Sequence, residues 1–135
     1  MVGAAPCRDP MLLDTNALSA LAAADESLIQ AIEQVPRLCV TVISLGEYSY
    51  GIEQSRHETE LTRWLDAFLQ RADILYLGRE TLPHYADVLR QLKKDGTPIP
   101  ANDCWIAALA KEHRLPVVSR DKHFDAVKGL QRISW

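Results

Sequence analysis

The sequence predicts a three-layer α/β domain with a mainly parallel central sheet, and three observations carry that prediction. Apolar runs of strand length alternate along the chain with stretches of helical period. The runs show no polar alternation, as expected of strands buried on both faces beneath helices. No internal repeat, low-complexity tract or linker interrupts residues 11–135, so they read as one unit, with right-handed crossovers by default.

The first run, Met11-Leu12-Leu13, ends at Asp14, and Thr15-Asn16-Ala17-Leu18 leads into an Ala/Leu-rich helix. Leu28, Ile29, Ile32 and Val35 recur at helical spacing and mark a second helix, which Pro36 stops. Leu38-Cys39-Val40-Thr41-Val42 is β-branched and of strand length. A helix is predicted to open at Ser44 and run to about Arg56, and another to cover Glu58 to Arg71 with Leu61, Trp64, Leu65, Phe68 and Leu69 on one face. Asp73 to Leu77 reads as a third strand and Glu80 to Lys94 as a helix closed by Gly96 in a left-handed cap. After the rigid Thr97-Pro98-Ile99-Pro100 loop, Asn102 is expected to cap a helix from Asp103 to His113. Pro116 to Ser119 is a short strand, and Leu130 to Ile133 is the last.

At 135 residues the chain has room for one domain. Its 47% hydrophobic and 24% charged content is that of a soluble globular protein. No apolar run approaches the roughly 20 residues of a membrane span. Val2 to Pro6 makes a poor signal peptide, so residues 1–10 read as a disordered extension or a vector scar, and ordered sequence is expected from Met11. Cys7, Cys39 and Cys104 form no C-x-x-C pair, so disulfides are not expected and a reducing cytoplasm fits. His57, His84, His113 and His123 lack the spacing of a zinc site. The net charge of −3 shows no basic excess for nucleic acid. Four acids gathered at one place would leave the remainder slightly basic, with Arg114, Arg120, Lys122 and Lys128 near the C-terminus.

Four acids fall where such a sheet presents its carboxyl edge, which is where open α/β sheets bind ligands. Asp14 follows the first strand, Glu47 lies one turn into the helix after the second, Asp103 opens the helix before the fourth, and Asp121 follows the fourth. Each also has an ordinary reading. Asp14 suits a helix N-cap, Ser44-Leu45-Gly46-Glu47 matches a capping box, Asp103 complements a helix dipole, and Asp121 suits a solvated turn. Their common position at one end of successive elements favours a shared site. Converging carboxylates repel one another unless a cation compensates, and an all-oxygen set suits Mg²⁺ or Mn²⁺. Asp25, Asp66, Asp87 and Glu112 read as solvated faces, and Asp125 as a surface residue. Glycine-rich phosphate loops and G-x-S-x-G are absent, and Cys104 reads as core.

Taken together these residues resemble the PIN domain, and within it the VapC-type toxins of toxin–antitoxin pairs. The resemblance runs from about Met11 to the C-terminus. It rests on Leu13-Asp14-Thr15-Asn16, on Glu47, on Asn102-Asp103-Cys104-Trp105-Ile106-Ala107-Ala108, and on Val118-Ser119-Arg120-Asp121-Lys122-His123-Phe124. It implies that Asp14, Glu47, Asp103 and Asp121 are the metal-binding acids of a nuclease and that Asn16 and Ser119 support them by hydrogen bonds. Ser119 stands where the family often has Thr. The resemblance further implies an endoribonuclease dependent on Mg²⁺ or Mn²⁺, often a homodimer, restrained by a VapB-type antitoxin whose C-terminal segment blocks the site. The helices between Thr15 and Arg71 would carry the partner-binding surfaces. Arg120 and Lys122 suit either RNA phosphates or a solvated loop, and His123 is expected to face solvent. Trp64, Trp105 and Phe124 are expected to be core. The competing readings are a relative acting on DNA flaps or ribosomal RNA precursors, a PIN-like module without catalysis, and a phosphatase or receiver domain; for the last, the D-x-D motif and a placed lysine are missing.

Overall fold

A computed structural model describes residues 10–135. The expected N-terminal extension, residues 1–10, therefore falls outside the described residues but for Pro10. The elements follow the predicted order. They are β1 (Met11–Leu13), α1 (Thr15–Ala22), α2 (Glu26–Ile32), β2 (Leu38–Thr41), α3 (Val42–Glu53), α4 (Glu58–Leu69), β3 (Asp73–Leu75), α5 (Thr81–Asp95), α6 (Ala101–His113), β4 (Val117–Val118), a 3-10 turn (Lys122–Ala126) and β5 (Arg132–Ile133).

The five strands lie in the order β3-β2-β1-β4-β5, and every adjacent pair is parallel. From β1 the chain first builds outward through β2 and β3, then returns to the other side of β1 with β4. The topology thus switches between β1 and β4, where crossovers leave in opposite directions and open a crevice at the carboxyl edge.

Both faces of the sheet are buried, as the unbroken apolar runs predict. Leu12, Cys39 and Val117 point to one side, where they pack with Val88 and Leu92 of α5, Ile106, Ala107 and Ala110 of α6, and Phe124. Met11, Leu13 and Val118 point to the other, against Ala17 of α1 and Leu28 and Ile32 of α2. Val40 joins them there with Leu18, Tyr48, Ile52 and Leu65. A fully buried leucine contributes about 1.5–3 kcal/mol, and Leu12 and Leu13 supply it from neighbouring positions on opposite faces. Cys39 and Cys104 are buried free thiols, and burial pushes both up in pKa. Among the described residues no helix is long and apolar enough to cross a membrane.

Several boundaries differ from expectation for local reasons. Helix α3 starts at Val42, because the Thr41 hydroxyl at the end of β2 accepts the Ser44 N–H at 3.0 Å and acts as the cap. The Ser44–Glu47 capping box therefore does not form at this helix start. Pro100, not Asn102, occupies the cap position of α6, and its carbonyl accepts the Cys104 N–H. Gly96 does end α5 in the left-handed region, at φ 67°. The predicted loop after β4 holds a 3-10 turn that Asp121 caps and the fully buried Phe124 anchors. Glu112 is not a solvated face residue. It accepts the Thr81 hydroxyl at 2.6 Å and ties the start of α5 to α6.

Candidate active site

All four acids singled out in the sequence line one cleft at the β1/β4 switch point, together with Thr15, Asn16, Asn102 and His123. Asp14 comes directly off β1 and is almost fully buried. It caps a helix and lines the cleft at once. One carboxylate oxygen accepts the Ala17 N–H at 2.8 Å, which caps α1, and the other accepts the Ser119 hydroxyl. Ser119, also buried, accepts the Asp121 N–H at 2.8 Å. One hydroxyl thereby ties the acid-bearing ends of β1 and β4 together. Ser119 thus bonds to both Asp14 and the Asp121 backbone, and Asn16 is exposed and lines the cleft.

Glu47 reaches the cleft from α3, and the Thr15 hydroxyl donates to its Oε1 at 2.7 Å. Asp103 projects from the first turn of α6. Its partner is the residue expected in solvent. His123 Nδ1 stands 3.2 Å from Asp103 Oδ2 and 3.0 Å from Asp121 Oδ1, although the ring remains half exposed. The 3-10 turn after Asp121 sets this position, since it brings the exposed His123 beside Asp103 and Asp121 while Phe124 goes into the core. Asp121 as a preferred cap residue is the signal in the sequence for such a turn.

The electrostatics follow from this crowding. Burial raises the Asp14 carboxyl above its ordinary value; hydrogen bonds from Ser119 and Ala17 offset part of that, and the nearby Asp103 and Asp121 add to it. Burial also raises Asp103, with Asp121 and Glu47 adding repulsion against the relief that His123 provides. Asp125 stays outside the cluster. It makes a two-point contact with Arg132, at 2.8 and 3.0 Å, that holds its carboxyl below the ordinary value. Arg120 is turned away as well, its guanidinium 4.8 Å from the Trp135 ring centroid and donating to the Trp135 carbonyl. Trp105 stacks on Tyr85, Trp64 on Phe68, and Phe124 is buried, in keeping with structural roles.

The donor set fits a hard divalent cation. Four oxygen-bearing acids face one cleft, no arginine among the described residues lines it, and two carry raised pKa values from burial and mutual repulsion. Asp103, Asp121 and His123 each offer a donor atom within 4.8 Å of the other two.

Comparison with known proteins bears on what such a site does. The PIN domain family model matches residues 11–130. Ribonuclease VapC2 of Haemophilus influenzae is 30% identical over 111 residues, covering 82% of this chain and 84% of that protein. In the crystal structure of VapBC2 from Rickettsia felis bound to a promoter DNA fragment, the similar chain superposes with a TM-score of 0.85 at 23% identity, covering 93% of this chain and 98% of that one. In VapBC-1 from nontypeable Haemophilus influenzae the TM-score is 0.81 at 25% identity, with the same two coverages.

Proposed function

This chain belongs to the PIN domain family, and from that premise we propose that it is a divalent-metal-dependent endoribonuclease acting as the toxin of a VapBC-type pair. The observation that carries the reading is the meeting of Asp14, Glu47, Asp103 and Asp121, drawn from positions spread over most of the chain, in one cleft at the switch point. The name of the Haemophilus influenzae relative supplies the reaction class, and the VapBC complexes supply the class of partner.

Asp14, Glu47, Asp103 and Asp121 would hold Mg²⁺ or Mn²⁺. When bound, such an ion supplies Lewis-acid activation of water and neutralises charge at the phosphate. The protein's share is positioning. Ser119 fixes Asp14 and the Asp121 backbone, Thr15 fixes Glu47, and the packed core beneath β1 and β4 keeps those anchors rigid. The cleft is open and lined by backbone-adjacent polar groups, which suits an extended phosphodiester. Lys122, exposed on the turn beside Asp121, is placed to meet an RNA phosphate and would make binding salt-sensitive.

A second groove, along α1 and α3, runs past Ser19, Ala22, Gly51 and Ile52 and shares Thr15 and Glu47 with the cleft. A VapB-type segment laid there would reach the acids directly, which supports restraint of the nuclease by an antitoxin. Self-association as a homodimer completes the proposal and is checked by sedimentation velocity. Residues 11–135 act as a single nuclease domain in this reading.

Cleavage of labelled structured RNAs with Mn²⁺, with EDTA, and by an Asp14→Asn variant purified identically tests the function. Metal-dependent cleavage lost in the variant is the expected result. Equal cleavage by the variant would reject the site.

A further inference from the structure

The imidazole of His123 has neighbours spaced like ligands of one ion. Its Nδ1 lies 3.0 Å from Asp121 Oδ1 and 3.2 Å from Asp103 Oδ2. First-row divalent ions hold nitrogen and oxygen donors at about 2.1 Å, and adjacent corners of an octahedron of that radius are about 3.0 Å apart. Both separations match such an edge. The ring's place is also fixed from the backbone. The His123 N–H donates to Asp121 Oδ1 at 2.9 Å, and the adjoining Phe124 is fully buried.

We infer that His123 Nδ1 is a ligand, beside the carboxylates of Asp103 and Asp121, to the divalent ion of this cleft, and that this nitrogen makes the site prefer Mn²⁺ over Mg²⁺. The inference rests on the reading of the cleft as a metal site. Mg²⁺ takes oxygen donors and dehydrates reluctantly, whereas imidazole suits the transition ions. An all-carboxylate cleft would lack that bias. The alternative role for the ring is that of a hydrogen-bonding neighbour, with Nδ1–H donating to the acids and no contact with the ion.

Two readouts separate these roles without relying on activity. In pulsed electron paramagnetic resonance of the full chain loaded with one equivalent of Mn²⁺, the wild type should show nitrogen modulation from the imidazole. His123→Ala should lack it while melting as a folded protein. By calorimetry His123→Ala should weaken Mn²⁺ binding by about 10-fold or more and leave Mg²⁺ binding nearly unchanged. His123→Asp should regain Mn²⁺ binding through oxygen, still without nitrogen modulation. If Mn²⁺ binds, is lost in Asp103→Asn, and yet shows no nitrogen modulation in the wild type, the ligand role is overturned and the metal site stands. Equal loss of both ions in His123→Ala overturns it too. If the wild type binds neither ion, the metal site and the ligand role fall together.

Discussion

Asp73 and Asp125 meet arginines, whereas Asp14 and Asp103 share a cleft with other acids. Arg37 grips Asp73 through two contacts of 2.8 Å, and Arg132 grips Asp125 in the same two-point way. Both carboxyls are held below the ordinary value by those guanidinium hydrogen bonds. Asp14 and Asp103 are raised instead, first by burial and then by neighbouring acids, Asp103 and Asp121 for the one and Asp121 and Glu47 for the other. The fold thus gives two acids at the sheet's margins a guanidinium each, while Asp14 and Asp103 at the carboxyl edge have no such partner among the described residues. A stable apoprotein has no use for that arrangement; a protein that binds a cation at the edge does.

The contrast predicts effects of graded size. The largest is on catalysis. Asp103→Asn should lower RNA cleavage by at least about 100-fold, since even partners that only orient metal ligands are worth 10–100-fold, while Asp73→Asn and Asp125→Asn should cleave at the wild-type rate. Next comes Ser119→Ala, which frees Asp14 and the Asp121 loop from their common hydroxyl. It should cost about 10–100-fold in metal affinity or rate, and Ser119→Thr should restore most of it. A Ser119→Ala protein with unchanged Mn²⁺ affinity and rate would remove the hydroxyl from the account.

A smaller effect lies in stability and has opposite signs in the two regions. Asp14 and Asp103 have folded-state pKa values raised above 3.8. The folded state therefore holds those protons more tightly than the unfolded chain, and stability falls as pH rises from about 3.8 through the raised values. Asp73 and Asp125 are lowered, so their contribution is present above 3.8 and is lost as pH falls through the folded values. Both pairs are exposed and screened by solvent and salt, so this second effect is the smallest. Urea titrations across pH in EDTA should show Asp103→Asn gaining over wild type as pH rises and Asp73→Asn losing slightly.

Much of this was legible in the sequence because strand ends and acids coincide. Leu13-Asp14 and Val118-Ser119-Arg120-Asp121 announce both the end of a buried strand and the polar group that follows it. Local motif alone could not separate function from capping. Asp14 and Asp25 each accept the N–H three residues on, from Ala17 and Leu28, and cap their helices alike. Only Asp14 sits at the switch point between β1 and β4, a property of strand order and not of neighbours in sequence. Glu47 was singled out by its place one turn into the helix after the second strand; the capping box that was its ordinary reading does not form, because Thr41 at the end of β2 takes the Ser44 N–H. His123 is exposed as expected, but its approach to Asp103 and Asp121 was not legible, because the turn that directs it is short and depends on Phe124 entering the core.

Thermal melting of wild type and Asp103→Asn at neutral pH, each in EDTA and in saturating Mn²⁺, tests the central claim that these acids are gathered for an ion. In EDTA the variant should melt above wild type, since one unfavourable charge is gone. Mn²⁺ at about 100 times its dissociation constant should then stabilise wild type by about 2.7 kcal/mol and barely move the variant. A variant that melts below wild type in EDTA, or that gains as much from Mn²⁺, would contradict the account.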